Sequence, residues 1–288
     1  MVNSDNKPVV AFQGKRGAYS EQACRERLPN HFFMPCNAFE DVFTAVDNNS
    51  ADLGMVPVEN SMAGVVTDSY DLLALHHLTI VGEHYLRVRH SLLGPPDSHL
   101  DDIASVYSHP QALAQCHSFI KKHGWKRISV YDTAGAAADL AEDLHPNSAA
   151  IASELCAELY GLKVLAKDIH DSSLNTTRFL IIKKEGSPLV DDTPCKTSLL
   201  FEVRDIPAAL YKCLGGFATN NVNLTRLESR PVLGKPWTYH FYLDFQGRTD
   251  EHRCELALDE LSYFTEYLKV LGCYPESKKP TETEASPR

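Results

Sequence analysis

The chain has 288 residues, 43% of them apolar, enough for a sizeable core and for more than one domain. Its formal net charge of −10, with no long basic run, argues against nucleic acid and anionic membrane surfaces as partners, and no stretch approaches the roughly 18 apolar residues of a membrane span. The eight cysteines include no CxxC pair and the thirteen histidines no HExxH, so the expectation is core thiols, no metal and, with no secretory pattern at the N-terminus, a cytoplasmic location.

In chain order, Val9 to Phe12 predict a strand, then a loop over Gln13 to Gly17 and a helix from about Tyr19. Phe39, Val42, Phe43 and Val46 recur at i, i+3, i+4 and i+7, one face of a helix. Strands are expected at Leu53 to Val58, Ile103 to Tyr107, Ile128 to Tyr131, Ala149 to Ile151 and Phe179 to Ile182. Between them, Leu113, Cys116 and Ile120 mark a helix face, and the Ala-rich 134–144 and residues 153–160 predict helices. This alternation argues an α/β region with largely parallel sheets over 1–183. Residues 184–196 read as a linker, rich in Gly, Pro and mixed charge.

Beyond it the rhythm changes. Thr197 to Val203 predict a strand, followed by a helix with Pro207 in its first turn and Leu210, Leu214 and Phe217 on one face. Val222 to Ser229 and the alternating 239–245 predict two strands. Leu261, Phe264 and Leu268 predict a last helix, and Val270-Leu271 the start of a final strand. The order βαββαβ over 197–275 is ferredoxin-like, with one sheet face or an edge left for a partner. The polar tail, 276–288, is expected to be disordered.

Four polar clusters stand out. In GKRGAYSEQA (14–23) a glycine loop joins strand to helix, either an anion site at the helix start or an ordinary turn. In VPVENS (56–61) a carboxylate, an amide and a hydroxyl leave a strand together. In SHPQALAQC (108–116) Pro110 places His109 at a helix entrance, a site or simply a capped surface helix. In NTTRFLII (175–182) Arg178 could form a surface ion pair or grip a carboxylate bidentately.

Taken in this order, the four motifs resemble those of prephenate dehydratases, over nearly the whole chain. The C-terminal part resembles that family's amino-acid-sensing ACT domain through NLTRLESRP (223–231); where the family's partner motif begins with glycine, this chain has Ala208. The resemblance implies a monofunctional enzyme: a bilobal catalytic region of the periplasmic-binding-protein type, crossing between lobes near 78–90 and 163–175, then the ACT domain. It implies conversion of prephenate to phenylpyruvate without a cofactor, with arogenate as the alternative substrate. A non-catalytic ligand-binding or regulatory protein is the other class. It implies Thr177, Arg178, Glu59 and His109 as catalytic, and Gly17, Tyr19, Ser20, Asn60, Ser61, Gln111, Asn175 and Phe179 as substrate-binding. Phenylalanine would bind at Ala208, Ala209, Leu210, Asn223, Leu224, Glu228, Ser229, Arg230 and Pro231, in a homodimer or homotetramer.

Overall fold

Apolar runs of four to eight residues make the strands, and 3.6-periodic stretches between them make the covering helices. The structure, a computed structural model, describes residues 7–143, 145–185, 194–232 and 234–280. The middle of the expected linker (186–193) and most of the expected disordered tail (281–288) lie outside the described residues. The elements in order are β1 (Val9–Gln13), α1 (Tyr19–Arg27), β2 (Phe32–Cys36), α2 (Phe39–Asp47), β3 (Leu53–Asn60), β4 (Gly64–Val65), α3 (Thr67–Leu75) and β5 (Thr79–Arg87). There follow β6 (Ser91–Gly94), β7 (Ser105–Ser108), α4 (Pro110–Gln115), α5 (His117–His123), β8 (Lys126–Ser129), α6 (Thr133–Glu142), β9 (Ser148–Ala152), α7 (Glu154–Tyr160), β10 (Lys163–Ala166) and β11 (Thr176–Lys183). The last six are β12 (Cys195–Val203), α8 (Ala209–Thr219), β13 (Leu224–Pro231), β14 (Tyr239–Gln246), α9 (His252–Tyr263) and β15 (Thr265–Pro275).

Among the described residues these strands form three sheets. The first runs β2-β1-β3-β11-β5 with β4 paired to β3, the second β10-β6-β9-β7-β8, and the third β13-β14-β12-β15. In the second sheet β7 pairs in parallel with β8 and β9, but β6 pairs antiparallel with β9 and β10. The first two sheets are therefore mixed, a correction to the largely parallel expectation. Strands β2, β4, β5, β6 and β10 are unforeseen; all but β5 span five residues or fewer, and β2 carries Pro35 and is half exposed, so these four have no pattern long enough to read. The second sheet closes on Leu92, Val106, Leu113, Cys116, Ile120 and Ile151, all buried. Six of the eight cysteines are buried, the other two half-buried, and all are free.

The chain divides into two compact units. One comprises residues up to Tyr70, His84–Phe179 and Lys278 onward; the other comprises Asp71–Glu83 and Leu180–Ser277. The second contains the antiparallel sheet, with α8 and α9 packed over Leu199, Phe201, Leu243 and Phe245. Its helix boundaries differ from expectation. Pro207 lies before α8, because Ala208 is the N-cap, in the left-handed region at φ 59°. Leu268 lies in β15, since α9 ends at Tyr263, where the sequence turns to aromatic and β-branched residues. Leu268 still packs on the same core as Leu261.

Part of the other face of this sheet is covered within the unit by Asp71–Glu83, so of the face or edge expected to stay free the edges are what this leaves. Lys196 and Glu83 form a buried ion pair at 2.7 Å, and the Lys269 ammonium donates to the His76 carbonyl at 2.9 Å. A Cβ on Gly272 would collide with the Ile80 carbonyl oxygen. Both edge strands keep exposed side chains, Leu227 on β13 and Tyr267 and Val270 on β15.

Candidate active site

The first unit holds a cleft of about 500 Å³ built from both mixed sheets. Of the twelve expected catalytic and substrate residues, Tyr19, Ser20, Asn60, His109, Gln111, Asn175, Thr177 and Phe179 line it. Glu59, Ser61 and Arg178 do not. They line a separate cavity of about 260 Å³ with Tyr85, Leu174 and Thr176. The reason is the strand period of two: Asn60 and Thr177 point to one face of the sheet, so Glu59 and Arg178 must point to the other. The Ser61 hydroxyl donates to the Leu174 carbonyl at 2.8 Å and accepts from the Thr176 N–H at 3.0 Å, tying the end of β3 to the start of β11.

Gly17 is also displaced from its expected role. Its φ is 86°, and a Cβ there would meet the Cys156 Sγ at 2.6 Å. Its carbonyl accepts from the Ser153 hydroxyl at 2.6 Å. Gly17 thus lets the 14–17 loop lie against the start of α7. The loop is held from inside by Glu21, fully buried, which accepts from the Gly17 N–H at 2.8 Å and from Arg16 and Arg25 at 2.8 to 3.0 Å. Burial alone would raise the Glu21 pKa, but Arg16, the Gly17 amide and Arg25 outweigh it and hold the carboxylate below its ordinary value.

Apart from the carboxylates of Asp68 and Asp132, the cleft is polar through uncharged groups. No Lys or Arg is among its described lining residues. Instead, helix N-termini open onto it, where backbone N–H groups and the helix dipole favour anions. Helix α1 starts at Ala18, which has no side chain to cap it, and Ala18, Tyr19 and Ser20 line the cleft. At α3 the lining residues are Thr67 and Asp68. At α6 they are Thr133 and Asp132, whose carboxylate already accepts from the Ala134 and Gly135 amides. His109 caps α4 by accepting the Gln111 N–H on Nδ1 at 3.2 Å, so when neutral it carries its proton on Nε2.

A chain of side-chain hydrogen bonds crosses the cleft. The Asn60 Oδ1 accepts from the Met62 and Ala63 N–H groups at 3.0 and 2.9 Å. Its Nδ2 donates to Asn175 Oδ1 at 2.8 Å and to Thr177 Oγ1 at 2.9 Å. Because the two backbone N–H groups can only donate, the Asn60 amide cannot be turned over. Thr177 therefore accepts from Asn60 at its oxygen, and that bond does not use its hydroxyl proton.

Residues not foreseen complete the site. His90, 2% exposed, lies 2.7 Å from both the Tyr19 hydroxyl and the Gln115 Oε1. Burial drives its pKa down to about 4, despite the opposing bond to Gln115. Burial likewise raises the Tyr19 pKa well above its ordinary value. Gln115 follows Gln111 at i+4 on the α4 segment, a spacing that could have flagged it; lone His90 had no such signal.

In the second unit, the residues expected to sense phenylalanine fall on two elements. Ala208, Ala209 and Leu210 form the entry to α8, while Leu224, Glu228, Ser229, Arg230 and Pro231 lie on β13. Asn223 precedes β13 and donates to the Gln246 Oε1 at 2.8 Å. Glu228 and Arg230 sit opposite Tyr242 and His240, and Ser229 opposite Phe241, so the segment splits between the two sheet faces. The Arg230 guanidinium grips the Asp71 carboxylate on α3 at 2.8 and 3.3 Å, so it is engaged within the unit.

Known proteins resemble this arrangement closely. A family model described as prephenate dehydratase matches residues 10–187. The chain is 42% identical over 285 residues to "Arogenate dehydratase/prephenate dehydratase 2, chloroplastic" of Arabidopsis thaliana, covering 95% of this chain and 74% of that protein. It is 43% identical to the "Bifunctional N-acyl-homoserine lactone acylase/prephenate dehydratase" of Komagataeibacter europaeus, covering 93% and 96%. The crystal structure of prephenate dehydratase from Arthrobacter aurescens in complex with L-Phe superposes with a TM-score of 0.85 at 32% identity, over 93% of this chain and 90% of that one. No helix among the described residues is long and apolar enough to cross a membrane. With a family model over more than half its length and relatives above 40% identity, the chain belongs to the prephenate dehydratase family of carbon–oxygen lyases.

Proposed function

We propose that this chain converts prephenate to phenylpyruvate. In that reaction the bond from the ring to its carboxylate breaks and releases carbon dioxide. The electron pair enters the ring, and the C–O bond to the ring hydroxyl breaks on the far side. One proton converts the departing hydroxide to water. Aromatisation drives the change, so the protein's task is to orient the dianion and stabilise the leaving group.

The observation that carries this reading is the donor direction at Thr177. Its oxygen accepts from Asn60 Nδ2 at 2.9 Å, which leaves the O–H available to donate to a departing oxygen. A threonine hydroxyl is too weak an acid to protonate hydroxide outright, so it serves as a preorganised donor. His109, with its proton on Nε2, lines the same cleft and is the candidate for supplying that proton. The two substrate carboxylates take the first-turn amides of α1 and the hydroxyl and amide donors of Ser20, Thr133 and Gln111. Arogenate is a second reading with its own support. Asp68 and Asp132 line a cleft without cationic side chains, and their charge suits the ammonium that arogenate carries in place of the keto group.

Phenylalanine is the proposed effector of the second unit, binding in a homodimer at the exposed β13 edge and the α8 entry. Incubation of the purified chain with each substrate tests the assignment. Phenylpyruvate absorbance should appear with prephenate, and a chain that turns over neither prephenate nor arogenate is not a dehydratase. Calorimetry with phenylalanine and light scattering test the effector and the assembly.

A further inference from the structure

The hydrogen-bond chain across the cleft has one consistent set of proton positions, and it extends past Thr177. The Asn60 amide is oriented by two backbone N–H groups, so its Nδ2 is a donor and Asn175 Oδ1 an acceptor. The Asn175 Nδ2 then donates to Gln115 Oε1 at 3.0 Å. The His90 Nε2 meets that same oxygen at 2.7 Å. An amide carbonyl oxygen cannot donate, so the His90 proton sits on Nε2. The bare Nδ1 is met by the Tyr19 hydroxyl at 2.7 Å, which donates to it. The Arg89 carbonyl, 2.9 Å from the same hydroxyl, is only an acceptor and competes for that one proton. Reversing any single amide sets two donors or two acceptors against each other somewhere along the chain.

We infer that His90, held as the Nε2–H tautomer, is a positioning residue for the dehydration: with Asn175 it saturates the Gln115 oxygen and makes Gln115 a donor toward the substrate. The Tyr19 proton is taken by His90 or by the Arg89 carbonyl, so its oxygen meets the cleft with lone pairs. The Gln115 oxygen is saturated by Asn175 and His90, so what Gln115 has left to offer is its N–H₂. Together with the Thr177 hydroxyl, the cleft then presents two donors and one acceptor in fixed positions. The reverse tautomer would turn the Tyr19 hydroxyl toward Arg89 and loosen the Gln115 carboxamide. The catalytic half of this inference rests on the dehydratase reading; the tautomer does not.

The experiment is ¹⁵N NMR of the full ligand-free chain labelled in histidine, with the His90 signals identified by their loss in His90→Gln. Near neutral pH, Nε2 should be protonated and Nδ1 bare; a protonated Nδ1 overturns the inference. In Gln115→Met the acceptor for Nε2–H is gone, and the His90 ring should shift toward the Nδ1–H form, now donating to Tyr19. An unchanged ring in that variant also overturns it. In kinetics, His90→Leu should lose roughly 10²-fold in kcat, the scale of a misplaced catalytic group, and His90→Gln, which keeps a donor to Gln115, should regain about tenfold with KM little changed. A His90→Gln variant no better than His90→Leu ends the positioning role. Should wild type have the expected tautomer yet turn over neither substrate, the dehydratase reading falls and the catalytic half falls with it.

Discussion

The cleft of the first unit and the covered face of the antiparallel sheet in the second are both polar and largely buried, yet they use opposite chemistry. The hydrogen-bond chain across the cleft relies on amides, hydroxyls and an imidazole, with proton positions dictated by backbone N–H groups. The sheet face relies on charge: Lys196 with Glu83, and Arg230 with Asp71. The difference follows from what each must do. A site that stabilises a departing hydroxide needs directional donors with little reorganisation. An interface within a unit needs only to hold one segment in one register, which a buried ion pair does because neither partner is tolerated alone.

The sharpest break of this contrast is Lys196→Met. It leaves Glu83 buried without its cation, and chemical denaturation should show a loss of roughly 3–5 kcal/mol, mostly recovered in the double variant Lys196→Met/Glu83→Leu. A silent single variant would mean that the pair is not what anchors the segment. Thr177→Val tests the cleft. It should lower kcat about 10²- to 10³-fold at nearly unchanged melting temperature, the scale of one transition-state donor. Thr177→Ser should keep most of the rate.

Acid separates the regions next. The folded pKa of His90 is about 4 against an ordinary 6.5, so between these values the unfolded chain binds a proton that the folded chain refuses. Stability is therefore complete above pH 6.5 and falls as pH drops toward 4. At about 1.4 kcal/mol per pH unit, the total loss is roughly 3 kcal/mol. Melting temperatures followed over that range should show the decline in wild type and a shallower one in His90→Gln. The smallest effect is expected at Ala208, whose φ of 59° costs a residue with a Cβ about 1 kcal/mol. Ala208→Gly should raise the melting temperature slightly and, if phenylalanine binds at this turn, tighten its binding in calorimetry.

Much of this was legible in the residues. The ferredoxin-like order and the motifs around Asn60, His109 and Thr177 are local signals, and local chemistry produced them: alternating strands, a proline at a helix start, polar groups at strand ends. Missing was a reading of the strand period through the motifs themselves. Glu59 beside Asn60 and Arg178 beside Thr177 cannot share a face, and neither can Ser229 and Arg230. His90 had no pattern, because its partners Tyr19 and Gln115 lie 71 and 25 residues away and only the fold gathers them. The covering of the third sheet by Asp71–Glu83 was equally hidden, since it depends on a glycine at 272 whose purpose is visible only beside the Ile80 carbonyl.

Met62 and Ala63 lie in an exposed loop, where amide hydrogens ordinarily trade with solvent within seconds or less. Here both are tied to a nearly buried carboxamide oxygen. Their exchange with heavy water is then a clock for the active site: it advances only when Asn60 lets go and the Thr177 proton loses its assigned direction. Slow deuterium uptake at these two positions, abolished in Asn60→Ala, is the expected pattern. Uptake as fast as at neighbouring loop amides would show that the orientation of the Thr177 hydroxyl is not held.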